Sequence, residues 1–153
     1  MKRRTRLSLT ALATAAALGT TGAVLLPAAS AHPLAPTSHT LKFTVVEQAQ
    51  VRFTPTLSIA QDKEVNSAGQ VVGYDVIRFT FNPKTTSAVI AVTIDLRGGF
   101  LYGQLHQGTS PVSHGTVTGG TGVFRGATGT ITVKALDASD DRSAATITYR
   151  TAG

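Results

Sequence analysis

Two carboxylates lie within strand-like runs of alternating apolar residues, where they could do acid–base chemistry. Glu47 lies in phase with Phe43, and Asp75 lies in phase with Phe79. Alternate residues of a β-strand share one face, so both carboxylates are expected on the apolar face. A buried carboxylate is costly unless it is paired or protonated. We therefore predict that Glu47 and Asp75 are catalytic, moving a proton or stabilising positive charge; the alternative is a solvated position at the barrel mouth.

The elements that must position these carboxylates are β-strands. Residues 41–53 alternate between apolar and polar types along their whole length, which places Val51 and Phe53 on the face of Glu47. Residues 54–69 form a polar stretch that ends in a turn composition. Further strands are predicted at 70–82, 87–96, 100–107, 112–118, 129–136 and 143–150. Because no segment has helical periodicity, the pattern predicts an all-β barrel or sandwich.

The amino-terminal 31 residues have the composition of a signal peptide. A basic start precedes an uncharged run rich in alanine and leucine, and Ala29-Ser30-Ala31 fits a cleavage site. A membrane anchor is the alternative, but glycine and threonine interrupt the run. We predict a cleaved signal peptide at 1–31, a flexible arm at 32–39 and a β-barrel domain at 40–153. The expected location is secreted, with no membrane anchor after cleavage.

Composition excludes several classes of function. Four of the 14 lysines and arginines lie in residues 1–31, so the formal charge falls from +6 to +2 without them. No basic cluster remains, which argues against a nucleic-acid partner. The absence of cysteine excludes thiolate catalysis and disulfides. His106 and His114 lack a reliable third ligand, and no phosphate loop or dinucleotide motif is present. We therefore expect no metal and no cofactor.

A glycine-rich segment, residues 118–131, carries the most specific pattern in the chain. Five glycines surround Val123 and Phe124, which are expected to form an apolar anchor between tight turns. The segment resembles the G-G-T/S-G-x-F-x-G-A-x-G signature of the allene oxide cyclase and dirigent proteins. The resemblance implies a small eight-stranded antiparallel β-barrel that guides cyclisation or coupling of apolar small molecules. It also implies a homo-oligomer, a trimer.

The resemblance assigns roles to further residues. In allene oxide cyclases a glutamate on the first strand acts on the substrate, and Glu47 is the most similar position. Substrate-binding roles are expected for Phe43 and Phe79 on the apolar face, and for Tyr149 and Arg125. For Tyr149 an ordinary core position is the alternative, and for Arg125 a solvated loop position.

Three functions remain open at this point. The first is a cofactor-free cyclase or isomerase, in which the shape of the barrel folds the substrate into a reactive conformer. The second is a carrier of a lipid-like or phenolic ligand without turnover. The third is a barrel filled by its own side chains, with a structural role.

Overall fold

The chain forms a closed barrel of eight antiparallel β-strands, as the resemblance predicted. The structure is a computed structural model and describes residues 37–137, 139 and 141–151. The strands are β1 (Ser38–Thr54), β2 (Leu57–Val65), β3 (Val71–Phe81), β4 (Ala88–Leu96), β5 (Gly99–Gln107), β6 (Val112–Gly120), β7 (Thr128–Ala135) and β8 (Arg142–Arg150). Each strand pairs with the next, and β8 pairs with β1, so the sheet has no free edge.

The predicted domain boundaries are tested only in part by the described residues. The signal peptide at 1–31 lies outside them, as does most of the predicted arm. Ser38 and His39, the last two residues of that arm, belong to β1 and pair with Arg150 and Tyr149 of β8. In the described part of the chain, no helix has the length and apolar character needed to cross a membrane.

A tight turn joins β2 to β3 and fixes their register. The Asn66 side-chain oxygen accepts hydrogen bonds from the backbone N–H groups of Ala68 and Gln70, each 3.0 Å long. Gly69 has a φ of 77°, a left-handed conformation that favours glycine. Past a register shift between Glu64 and Val65, Asp62 of β2 lies directly opposite Asp75 of β3.

A β-bulge at Gln48 changes the face that β1 presents to the interior. Glu47 pairs with Asp62, but Ala49 already pairs with Gln61, so Gln48 is an extra residue. Beyond the bulge the alternation is inverted. Val51 and Phe53, expected on the inner face, are therefore 55% and 60% exposed on the outside.

The glycine-rich segment closes one end of the barrel. Gly122–Phe124 form a single 3₁₀ turn between β6 and β7, and Phe124 is buried against Tyr149 with the ring centroids 5.6 Å apart. The predicted anchor is therefore Phe124 alone, because Val123 is 65% exposed. Gly122 has a φ of 56°, and a Cβ there would collide with the carbonyl oxygen of Gly98. The start of β1 and the end of β8 lie at this same closed end.

Candidate active site

The barrel contains a cavity of about 360 Å³ that reaches solvent at the end opposite the glycine-rich segment. Gln50, Ser110 and Asp141 line it at this mouth and are exposed. At the other end Leu101 and Phe124 are buried in the core and do not line the cavity. Most of the wall is apolar and includes Phe43, Ile77, Phe79, Ile90, Val92 and Leu105. A barrel filled by its own side chains is therefore not what the structure shows.

Three carboxyl groups from β2 and β3 project into this cavity. Asp62, Glu64 and Asp75 are only 5%, 0% and 4% exposed, and all three line the cavity. Among their oxygens, both of Glu64 and the Oδ1 atoms of Asp62 and Asp75 have no hydrogen-bond donor when the groups are ionised. Buried polar groups in folded proteins almost always have partners, so this cluster is the exceptional feature of the interior.

Burial makes these groups hold their protons. Burial first, and then the negative charges of Asp75 and Glu47, raise the pKa of Asp62 from 3.8 to about 7. Burial, a hydrogen bond with Asp75 and the charges of Asp75 and Asp62 raise the pKa of Glu64 from 4.5 to about 10. Burial also raises the pKa of Asp75, although hydrogen bonds from Glu64 and from the backbone of Asp62 oppose this.

One hydrogen bond between Glu64 and Asp75 has opposite effects on their pKa values, which identifies the donor. The bond raises the pKa of Glu64 and lowers that of Asp75, so protonated Glu64 is the donor and the Asp75 carboxylate is the acceptor. Glu64 therefore stays protonated at neutral pH, Asp62 is close to half-protonation, and Asp75 accepts the hydrogen bond of Glu64. Such a set can both give and accept a proton.

The two predicted catalytic residues take different positions. Asp75 lies within the buried cluster. Glu47 is half-buried, lines the cavity, and pairs across β1 and β2 with Asp62. Its backbone N–H donates to the carbonyl oxygen of Asp141 at 2.9 Å, which joins β1 to the loop before β8. Glu47 therefore lies at the edge of the cluster, towards that loop.

Sequence reasoning missed Asp62 and Glu64 because β2 inverts the usual pattern. Its apolar residues, including Leu57 and Ile59, face outwards and are half-buried, whereas Ser58, Ala60 and the two acids face inwards and are buried. Alternation alone would have put the acids in solvent. The turn at 66–70 would not have corrected this, because a pairing counted back from it puts Asp62 opposite Tyr74. The register shift between Glu64 and Val65 brings Asp62 opposite Asp75.

The four predicted substrate-binding residues divide into two pairs. Phe43 and Phe79 line the cavity. Tyr149 and Arg125 do not, which differs from the expectation for both. Tyr149 is buried at the closed end between Phe124 and His39, and Arg125 is exposed in the turn after Phe124.

The histidines considered as metal ligands lie on the outer surface. His106 and His114 are exposed and pair across β5 and β6. Within residues 37–137, 139 and 141–151, no group of three histidine, aspartate or glutamate side chains is arranged to hold a metal ion.

Comparisons with solved structures place the chain in the class of dirigent-like eight-stranded barrels by fold. No family model and no curated protein matches the sequence. The pterocarpan synthase dirigent protein GePTS1 is similar with a TM-score of 0.65 and 17% identity, over 86% of this chain and 100% of that one. Pyocyanin demethylase is similar with a TM-score of 0.60 and 19% identity, over 72% of this chain and 99% of that one.

A third similar structure belongs to another kind of enzyme. AbnU, described as an exo-specific intermolecular Diels-Alderase, has a TM-score of 0.60 and 13% identity, over 74% of this chain and 98% of its own. At these identities the likeness shows the fold and not the activity.

Proposed function

We propose that the chain binds an apolar small molecule inside the barrel and guides its cyclisation or coupling by acid–base catalysis. One observation carries the proposal: three buried carboxyl groups without sufficient partners face a mostly apolar cavity of about 360 Å³. The dirigent proteins and the Diels-Alderase of similar fold support it at the level of the scaffold.

The roles of the carboxyl groups follow from their protonation states. Glu64, a neutral acid at pH 7, donates a proton or a hydrogen bond to the substrate. Asp75, the acceptor of the hydrogen bond from Glu64, stabilises positive charge that develops beside it. Asp62, with a pKa of about 7, returns or removes the proton. A cyclisation that begins with proton donation by Glu64 and ends with proton loss to Asp62 needs no cofactor, and the starting state returns when that proton passes from Asp62 back to Glu64 within the cluster. Glu47 assists from the edge of the cluster.

Ligand binding is tested with N-phenyl-1-naphthylamine, a neutral fluorophore whose emission rises in apolar surroundings. We expect enhanced emission with the wild-type barrel. Ile90→Trp, which fills the cavity, should abolish the enhancement, whereas Val89→Trp on the outer face of the same strand should not. Circular dichroism checks that both variants fold. Equal emission from the two variants would place the fluorophore outside the barrel and contradict the proposal.

Catalysis is tested with the small molecules that co-purify with the protein, identified by mass spectrometry. Incubation with a candidate substrate should give a cyclised or coupled product, and Asp62→Asn should slow its formation by about 10²-fold or more. A carrier function, the second candidate, predicts altered affinity and no product with any variant. Asp95→Asn, an exposed aspartate on β4, is the control.

Export is the second part of the proposal and rests on residues 1–31. Sequencing the amino terminus of protein recovered from the culture medium should find His32 first. Recovery of the intact segment there would contradict cleavage. The homo-oligomer implied by the resemblance stays a prediction, which light scattering of the purified protein would test.

A further inference from the structure

Acidic and basic side chains are divided between the inside and the outside of the barrel. From residue 32 onwards the sequence has eight acidic and ten basic residues. Within the part of the chain that the structure describes, which includes all ten basic residues, five acidic residues line the cavity and no basic residue does. The five are Glu47, Asp62, Glu64, Asp75 and Asp141. A cleft with apolar walls and charges of one sign concentrates that field inside itself.

The innermost of these acids are built without a counter-ion. Glu64 is completely buried and shares a hydrogen bond only with Asp75, and Asp62 and Asp75 each have a buried unpartnered oxygen that faces the same space. A buried carboxylate is stable only when a cation or several hydrogen bonds compensate for lost water. The described protein residues supply no cation at this point, so a ligand is the group that can supply one.

The rest of the cavity suits the body of such a ligand. Phe43 and Phe79 line the wall, and aromatic faces attract cations as well as apolar groups. Arg52 already uses this attraction at the rim, where its guanidinium lies 5.2 Å from the centre of the Phe81 ring and is exposed. The carboxyl groups of β2 lie deeper than Phe81, towards the closed end.

We infer that the cavity takes an organic cation, an ammonium group on an apolar body, with its charged end among Asp62, Glu64 and Asp75. This inference rests on the proposed function, because it names the class of ligand for the same cavity. The apolar body fills the space between Phe43 and Phe79, and the cation replaces the missing partner of the carboxylates.

Cation binding and protonation must compete at this site. The charged groups that face the cluster are Glu47 from β1, Asp62 and Glu64 from β2, Asp75 from β3 and Asp141 from the loop before β8. A bound cation stabilises their ionised forms, so it displaces protons near neutral pH. A neutral ligand of equal shape displaces none. Lower pH neutralises the acids and removes the preference for a cation.

The experiment compares two molecules that differ only in one atom and its charge. Phenyltrimethylammonium is a permanent cation, and tert-butylbenzene is its neutral isostere. Calorimetry at about pH 8 should show the cation binding at least about tenfold more tightly, a difference of about 1.4 kcal/mol. The preference should shrink at about pH 5 as the acids become protonated. Titration in two buffers of different ionisation enthalpy should detect proton release near pH 7 with the cation alone.

Variants separate the cluster from general surface charge. Asp62→Asn keeps the size of the side chain and should reduce the preference for the cation at least about threefold, because Asp62, with a pKa of about 7, is mostly ionised at pH 8. Asp95→Asn removes an exposed acid outside the cavity and should leave the preference unchanged. Equal or tighter binding of tert-butylbenzene to the wild-type protein would overturn the inference and leave the proposed function standing. Binding of neither molecule would overturn both.

Discussion

Protonated Glu64 donates a hydrogen bond to Asp75, and the contribution of this buried pair to the free energy of unfolding depends on pH. The folded-state pKa values of Asp62 and Glu64, about 7 and about 10, exceed the ordinary values of 3.8 and 4.5. At a pH between the ordinary and the folded-state pKa of each group, the folded protein retains a proton that the unfolded chain has released. The contribution to stability is thus complete below the ordinary values and is lost as pH rises through the folded-state pKa values.

We expect the free energy of unfolding to fall as pH rises from 5 to 9, and Glu64→Gln to reduce that slope. The amide of the new side chain can donate to Asp75 without titrating. One carboxyl that stays protonated in the folded protein and is ionised in the unfolded chain over this range changes stability by at most about 1.4 kcal/mol per pH unit. Urea denaturation at several pH values measures the slope, with Asp95→Asn as the control. A slope unchanged by Glu64→Gln would contradict the buried acid.

At the scale of single strands, β1 and β2 explain what the sequence could and could not predict. Six of the predicted strands, β3 to β8, lie within two residues of their observed bounds because their inner faces are mostly apolar and their turns are rich in glycine or proline. The alternation in β1 was correct only as far as Glu47. Nothing in the residue types marks Gln48 as a bulge, since its position is set by pairing with β2.

The inverted face of β2 has the same origin. Hydrophobic alternation predicts which face is buried only if the interior is apolar, and here β2 presents two acids to the cavity. Pairing with β1 and β3 places Asp62 and Glu64 inside, although solvation alone would favour the outside. Asp75 is also a buried acid, but its inward direction could be predicted because Ile77 and Phe79, which share its phase in β3, are apolar.

The bulge predicts different contributions to stability from two phenylalanines that the sequence places in one phase. Phe43 precedes the bulge and is buried, whereas Phe53 follows it and is 60% exposed. Phe43→Ala should cost about 3 kcal/mol of unfolding free energy. Phe53→Ala should cost no more than about 0.5 kcal/mol. Chemical denaturation of the two variants under one set of conditions measures both values; similar losses would mean that β1 lacks the bulge.

The turn that closes the barrel likewise predicts different contributions to stability from its adjacent residues Val123 and Phe124. Phe124 is 4% exposed and contacts Tyr149, while Val123 points away from the core. We expect Phe124→Ala to destabilise the protein by about 3–5 kcal/mol. Val123→Ala should change stability by about 0.5 kcal/mol or less. Thermal unfolding of both variants provides the check, and an unchanged melting temperature for Phe124→Ala would reject its role as the anchor.

For the whole molecule, closure of the sheet and the position of the carboxyl cluster act together. The backbone hydrogen bonds of eight strands form a continuous ring, which stabilises the wall independently of what fills the interior. At the closed end Leu101 and Phe124 are nearly or fully buried in the core and do not line the cavity. The protein can therefore keep unpaired acids and an open cavity elsewhere in its interior.

The pairing of Ser38 with Arg150 also has a practical consequence. The first and last strands leave the barrel side by side at the end remote from the mouth. A tether, an affinity tag or a fused reporter attached at either end of the domain would extend away from the entrance. The barrel can accordingly be immobilised on a sensor surface through one end, in a single orientation, while small molecules still enter from solution.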